Sequence, residues 1–201
     1  MTSGTTRGFV GKRRDRGQDL PPGQHLTEAF PVLSTGPTPR VNKNDWELFI
    51  RTGPDTSMRW TWHDFMALPI SAIVADIHCV TSWSKLETRW RGVSLDVLLK
   101  DVQTSDHYVM AHSYGGYSTN LALDDLRGDK AWIVFEHDGA DLTPEHGGPA
   151  RLLVPHLYFW KSAKWIHGFV TQERNMPGLW ERNGYHLHAD PWREERYSRW
   201  S

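Results

Sequence analysis

The chain has a single cysteine, Cys79, among 201 residues. That excludes an internal disulfide, and it excludes any zinc or iron–sulfur centre ligated wholly by protein thiolates. Also absent is an apolar run approaching the roughly 20 residues that a membrane-crossing helix requires, so no membrane insertion is predicted. Neither sign of charge is in excess: 23 Lys and Arg face 24 Asp and Glu, for a formal net charge of −1. Nothing in that balance points to a nucleic-acid partner, and a small molecule fits it better. Arg13-Arg14 is followed by Asp15-Arg16-Gly17-Gln18-Asp19, without the apolar stretch of an export signal, and the reading is a cytoplasmic protein. What is abundant is Trp and His, with 11 of each, a bias toward an aromatic-lined pocket.

The length suits one domain. Residues 1 to about 40 read as an arm without regular structure of its own, mobile over residues 1–19; residues 20–175 read as the domain proper, which takes in the rest of the arm, and residues 176–201 as a C-terminal tail packed on it. Within the arm, Leu20 to His25 and Phe30-Pro31-Val32-Leu33 are apolar enough to lie extended across the domain. Trp46, Leu48 and Ile50 alternate with Glu47, Phe49 and Arg51, as in a strand. Thr61 with Asp64 forms a capping-box pattern for a short helix that Pro69 stops. Strands are predicted over 71–78, 107–111, 117–121, 131–136, 150–154 and 165–171, with a helix capped by Ser94 through Leu99. Irregularly spaced short strands and helices give an α+β class, mostly β.

Cys79 ends the apolar run Ile73 to Val80, where a strand would hand it to a loop. Three roles are open to it: an inert core thiol, a nucleophile, or the one protein ligand of a metal held mainly by an organic cofactor. His78, with His112, His146, His156 or His167, would complete a Cys–His pair, although no cysteine-protease signature surrounds Cys79. His186 and His188 in the tail lack further ligands for zinc. Glu145-His146-Gly147-Gly148-Pro149-Ala150-Arg151 is either a ligand cradle or an ordinary hairpin turn. Lys161-Ser162-Ala163-Lys164 offers two ammonium groups and a hydroxyl, suited to one phosphate or to solvent.

Taken together, Asp76 to Ser84, Trp90 to Leu99, Ser113 to Leu121, His146 to Pro155 and Lys161 to Trp165 resemble, in order and spacing, the molybdopterin-binding domain of the sulfite oxidase family. The resemblance covers roughly residues 20 to 175 and implies that family's fold of mixed sheets with short helices. It further implies that Cys79 is the catalytic thiolate ligand of molybdenum, with molybdopterin supplying the dithiolene sulfurs. Ser113, His146, Arg151, Ser162 and Lys164, and more loosely Lys161, fall where family members contact the pterin or its phosphate. Trp83, Trp90 and Tyr185 are candidates for either pocket wall or packing. In sulfite oxidases proper, arginines soon after the cysteine help bind sulfite, whereas this chain reads Val80-Thr81-Ser82-Trp83-Ser84-Lys85. The Cys-Val-x-x-Trp pattern is closer to bacterial branches that include a methionine-sulfoxide reductase.

The implied activity is two-electron oxygen-atom transfer, with the metal cycling between Mo(VI) and Mo(IV). The substrate is a small S-oxide or N-oxide to be reduced, or a small sulfur compound to be oxidised. With no haem, flavin or iron–sulfur motif in the sequence, a separate flavin- or haem-containing electron-transfer protein is the expected partner. The alternatives are a non-redox carrier of the same cofactor and fold, and a thiol-dependent hydrolase.

Overall fold

A computed structural model describes residues 20–54 and 57–198. The predicted mobile arm, residues 1–19, lies outside the described residues.

Two sheets form the body. In chain order the strands are β1 (His25–Leu26), β2 (Glu47–Arg51), β3 (Ser57–Thr61), β4 (Ser71–His78), β5 (Trp83–Ser94), β6 (Tyr108–Ser113), β7 (Ser118–Ala122), β8 (Trp132–His137), β9 (Ala140–Asp141), β10 (Arg151–Leu153) and β11 (Ile166–Gln172). One sheet runs β1-β5-β8-β10, with β4 paired to β5 and β9 to β8; the other runs β3-β2-β11-β6-β7. Pairing is parallel for β1 with β5 and for β2 with β11, and antiparallel elsewhere. Three short α-helices, α1 (Trp62–Met66), α2 (Leu95–Leu98) and α3 (Leu179–Arg182), and five 3-10 turns complete the described elements. The mostly-β, mixed-sheet class expected from the sequence is what the chain adopts.

Local rules account for the elements. Leu48 and Ile50 of β2 are buried with Trp46, because alternate side chains of a strand share one face. Thr61 and Asp64 form the capping box of α1, each side chain accepting from the other's backbone N–H. Ser94 caps α2 through Asp96 N, and that helix is a single turn that buries Leu95 and Leu98. Strand β5 is twelve residues long, in a stretch where the sequence pattern predicts no strand. It changes partner along its length and shifts register opposite both β4 and β8, which breaks the alternation that marks a half-buried strand.

The hydrophobic side chains form two main clusters. The larger joins Trp46, Leu48, Ile50, Phe65, Leu152 and Phe169. The smaller gathers Ile77, Cys79, Trp83, Trp90, Val134 and Leu153, with Phe30 of the arm packed against it. A third, small cluster of Tyr158, Trp160 and Ala189 packs the segment after β11 onto the domain, where Tyr158 N donates to Ala189 O at 2.8 Å. No helix among the described residues is long and apolar enough to cross a membrane.

Candidate active site and cofactor cavity

Cys79 sits at the tip of the β4–β5 hairpin. Cys79 N donates to Trp83 O at 2.8 Å and Ser82 N donates to Cys79 O at 3.0 Å, which closes a three-residue loop. Ser82 takes a positive φ of 73°, the left-handed residue that such loops require. Three segments hold this tip. Gln24 Nε2 donates to Cys79 O at 2.9 Å, His25 N donates to Ser82 O at 2.8 Å, and Arg196 Nη1 donates to Val80 O at 2.6 Å. The other Arg196 amine donates to Pro22 O at 3.2 Å, so one tail side chain ties arm and hairpin together.

The thiol lines a cavity of about 350 Å³. It is not sealed in hydrocarbon, so the inert-core reading loses its basis. A Cys–His pair is also unsupported. Among the described residues the hydrogen-bond partner of Cys79 Sγ is Thr81 Oγ1 at 3.1 Å, while His78 Nδ1 lies 2.8 Å from Ser84 Oγ. Burial lowers the His78 pKa, with Asp76 opposing.

One wall of the cavity is cationic. Gly147 has φ of 106°, and a Cβ there would lie 3.0 Å from both Arg151 Cβ and Lys164 Cβ, so the glycine permits the close approach of these two residues. Arg151 is buried, its amines donating to His146 O at 2.9 Å and Ser162 O at 2.8 Å, and its guanidinium lies 4.2 Å from the Phe159 ring centroid. Burial lowers its pKa to about 9, leaving it cationic at neutral pH. Lys164 Nζ donates to Glu145 O at 2.6 Å and to Leu33 O at 2.8 Å. Burial first, and then the neighbouring Arg151, bring its pKa down to about 8. Ser162 Oγ accepts from Val154 N at 2.9 Å.

No Asp or Glu lines the cavity among the described residues. Two cations without a counter-charge, beside a soft sulfur donor, suit a ligand that carries both a phosphate and a metal. Unpartnered buried polar atoms on the lining, Arg151 Nε and Trp83 Nε1, give a polar ring further contacts to complete. The residues present therefore fit a molybdopterin with its molybdenum.

The remaining expected contacts are placed differently. Ser113 is buried at the end of β6 with its hydroxyl unpartnered and is not among the residues that line the cavity. His146 stacks on Phe30 at 4.1 Å between centroids, and its Nε2 lies 3.0 Å from Phe30 O, so this ring anchors the arm. Lys161 requires a correction. Its ammonium is fully buried off the cavity, 2.7 Å from Glu181 Oε1, and it also donates to Asn120 O, Asn120 Oδ1 and Leu187 O. These acceptors claim its protons, and the residue ties the tail to the domain instead of facing a phosphate. No local pattern reveals this, because the carboxylate partner, Glu181, lies in the tail.

Aromatic side chains make the other wall. Trp83 and Tyr185 line the cavity with Tyr117, Phe159, Trp160 and Trp180. Trp90 does not; it is core, with Nε1 donating to Thr88 Oγ1 at 2.8 Å. The arm contributes Phe30, Leu33, Ser34 and Thr35, foreshadowed only by the apolar Phe30–Leu33 stretch. His186 and His188 meet Glu195 and Asp125, and no metal-ligating group forms among the described residues.

Residues 35–180 match the family described as the oxidoreductase molybdopterin binding domain. The chain belongs to this family. It is 43% identical over 195 residues to the uncharacterized oxidoreductase YuiH of Bacillus subtilis, covering 94% of this chain and 98% of that protein. To the mitochondrial sulfite oxidase of Drosophila melanogaster it is 26% identical, over 79% of this chain but 32% of that protein. To the methionine-sulfoxide reductase catalytic subunit MsrP of Gluconobacter oxydans it is 25% identical, over 62% of this chain and 47% of that one. The chain thus spans under half the length of these two relatives. The sulfane dehydrogenase SoxCD of Paracoccus pantotrophus shares the fold, with a TM-score of 0.62 at 19% identity over 73% of this chain and 42% of that chain. The protein is a molybdopterin-dependent oxidoreductase of the sulfite oxidase type, using molybdenum held by molybdopterin.

Proposed function

We propose that this oxidoreductase transfers an oxygen atom between its molybdenum centre and a small neutral S-oxide or N-oxide, and that it exchanges electrons with a separate flavin- or haem-containing protein. The observation that carries this reading is the placement of the Cys79 thiol on a cavity wall that faces two cations and aromatic rings but no carboxylate. When bound, the cofactor supplies two-electron redox chemistry and oxygen-atom exchange; the chain's residues determine what reaches it.

In this reading Cys79 donates thiolate sulfur to the metal, and Lys164 and Ser162 take the terminal phosphate. Arg151 holds the polar pterin edge through its unpartnered Nε. Trp180 and Tyr185 exclude water and pack against the apolar body of the substrate. A sulfite anion fits less well, because Val80, Thr81 and Trp83 line the wall beside the thiol without a cation, and Lys85 turns to Glu28 O at 2.8 Å. Methionine sulfoxide is named for the MsrP relatives. The same chemical class is proposed here on the uncharged wall.

Metal analysis should find about one molybdenum per chain, and the protein should turn over a panel of oxides under an artificial reductant. Cys79→Ser should keep the fold and much of the pterin but lose turnover, because an alkoxide donates less electron density than a thiolate. Turnover by a molybdenum-free wild type would overturn the reading.

A further inference from the structure

Thr81 lies two residues beyond Cys79, in the middle of the three-residue loop that Cys79 and Trp83 close, and its hydroxyl oxygen is 3.1 Å from Cys79 Sγ. Between a thiol and a hydroxyl either atom can donate. Once the sulfur is a metal-bound thiolate it has no proton, and the bond has one direction left: Thr81 donates and the sulfur accepts. The loop sets this geometry. Ser82 N closes onto Cys79 O, and the left-handed Ser82 returns the chain to β5, so positions 79 and 81 face one another across the turn. Both residues line the cavity, and Thr81 is otherwise exposed with no second side-chain partner among the described residues.

We infer that Thr81 is a positioning residue that tunes the metal through its ligand. Resting on the proposed ligation by Cys79, the inference assigns to its hydroxyl the withdrawal of electron density from the thiolate sulfur. A sulfur that accepts a hydrogen bond donates less charge to its metal, and the lower oxidation state is favoured. The hydroxyl also fixes the rotation of the sulfur about its Cα–Cβ bond. For an enzyme that must reduce an oxide and then accept electrons from a partner, this hydrogen bond sets how readily the partner can reload the centre.

The test is a redox titration of the Mo(V) resonance in the wild type, Thr81→Val and Thr81→Ser, each with its molybdenum content measured. Valine keeps the size and β-branching but removes the donor; serine restores it. Because Thr81 is exposed in the described structure, neither change removes packed core. The Mo(VI)/Mo(V) midpoint should move to more negative potential in Thr81→Val and return toward the wild-type value in Thr81→Ser, with molybdenum content equal in all three. Equal midpoints at equal molybdenum content would overturn the role of Thr81 and leave the cofactor assignment standing. A shift in Thr81→Val that serine does not reverse would also overturn it, since the effect would then be one of shape. A wild type without molybdenum would overturn the ligation on which the inference rests.

Discussion

The Lys161–Glu181 pair separates a structural lysine from a phosphate-binding one, and Lys161→Met is the perturbation that does so. Both side chains are fully buried, with 2.7 Å between charged atoms. Glu181 Oε1 also accepts from Thr119 Oγ1 at 2.8 Å and from Trp160 Nε1 at 2.9 Å. Removing the ammonium leaves a buried carboxylate without its counter-charge and takes a donor from Asn120 and Leu187. Breaking a buried pair from one side costs about 3–5 kcal/mol. In a chain of this size each kcal/mol lowers Tm by about 2–4 °C, so the drop is on the order of 10 °C. Urea unfolding followed by tryptophan fluorescence reads this directly, with samples matched for cofactor content because bound ligand adds apparent stability. Lys161→Met combined with Glu181→Gln should recover much of the loss, since no charge is then stranded. A single variant destabilised by less than about 1 kcal/mol, well under the buried-pair range, and depleted in cofactor would refute the reasoning and return Lys161 to the phosphate.

Two further outcomes follow from the geometry. Lys164→Ala should lower cofactor retention several-fold, while circular dichroism remains that of the wild type, because the residue's partners are loop carbonyls; unchanged molybdenum occupancy would remove it from the phosphate site. The tail should be pH-sensitive. Asp125, and then Glu195, raise the His188 pKa from 6.5 to about 9 against the opposing effect of burial. A group whose folded pKa is raised stabilises fully below its unfolded value and loses that contribution as pH rises through the folded one. Thermal stability should therefore fall between pH 6.5 and about 9, by no more than about 1 kcal/mol for so exposed a side chain. In His188→Ala the fall should disappear, and an unchanged pH profile would contradict the assignment.

The parts of this fold that were legible in the sequence are those where one local rule dominates. Trp46, Leu48 and Ile50 alternate because a single face of β2 is buried, and the Thr61–Asp64 box is complete within four residues. Cys79 was visible as a lone thiol at a strand end, and Arg151 and Lys164 as donors near glycine-rich or basic turns. The illegible parts depend on contacts distant in sequence. The partners of Lys161 are Asn120, Glu181 and Leu187, and no spacing within Lys161–Lys164 reveals them. The partner that fixes the His146 ring, Phe30, lies 116 residues earlier, and no local pattern reveals it. Strand β5 was hidden because one of its edges holds β4 while the other passes from β1 to β8, with register shifts opposite both β4 and β8.

The central claim is the bond between Cys79 and molybdenum. X-ray absorption at the molybdenum edge, on the wild type and on Cys79→Ser loaded with cofactor, tests it without reference to any substrate. The account predicts three sulfur scatterers per metal in the wild type and two in the variant. Three sulfurs in both proteins, or two in both, would contradict it.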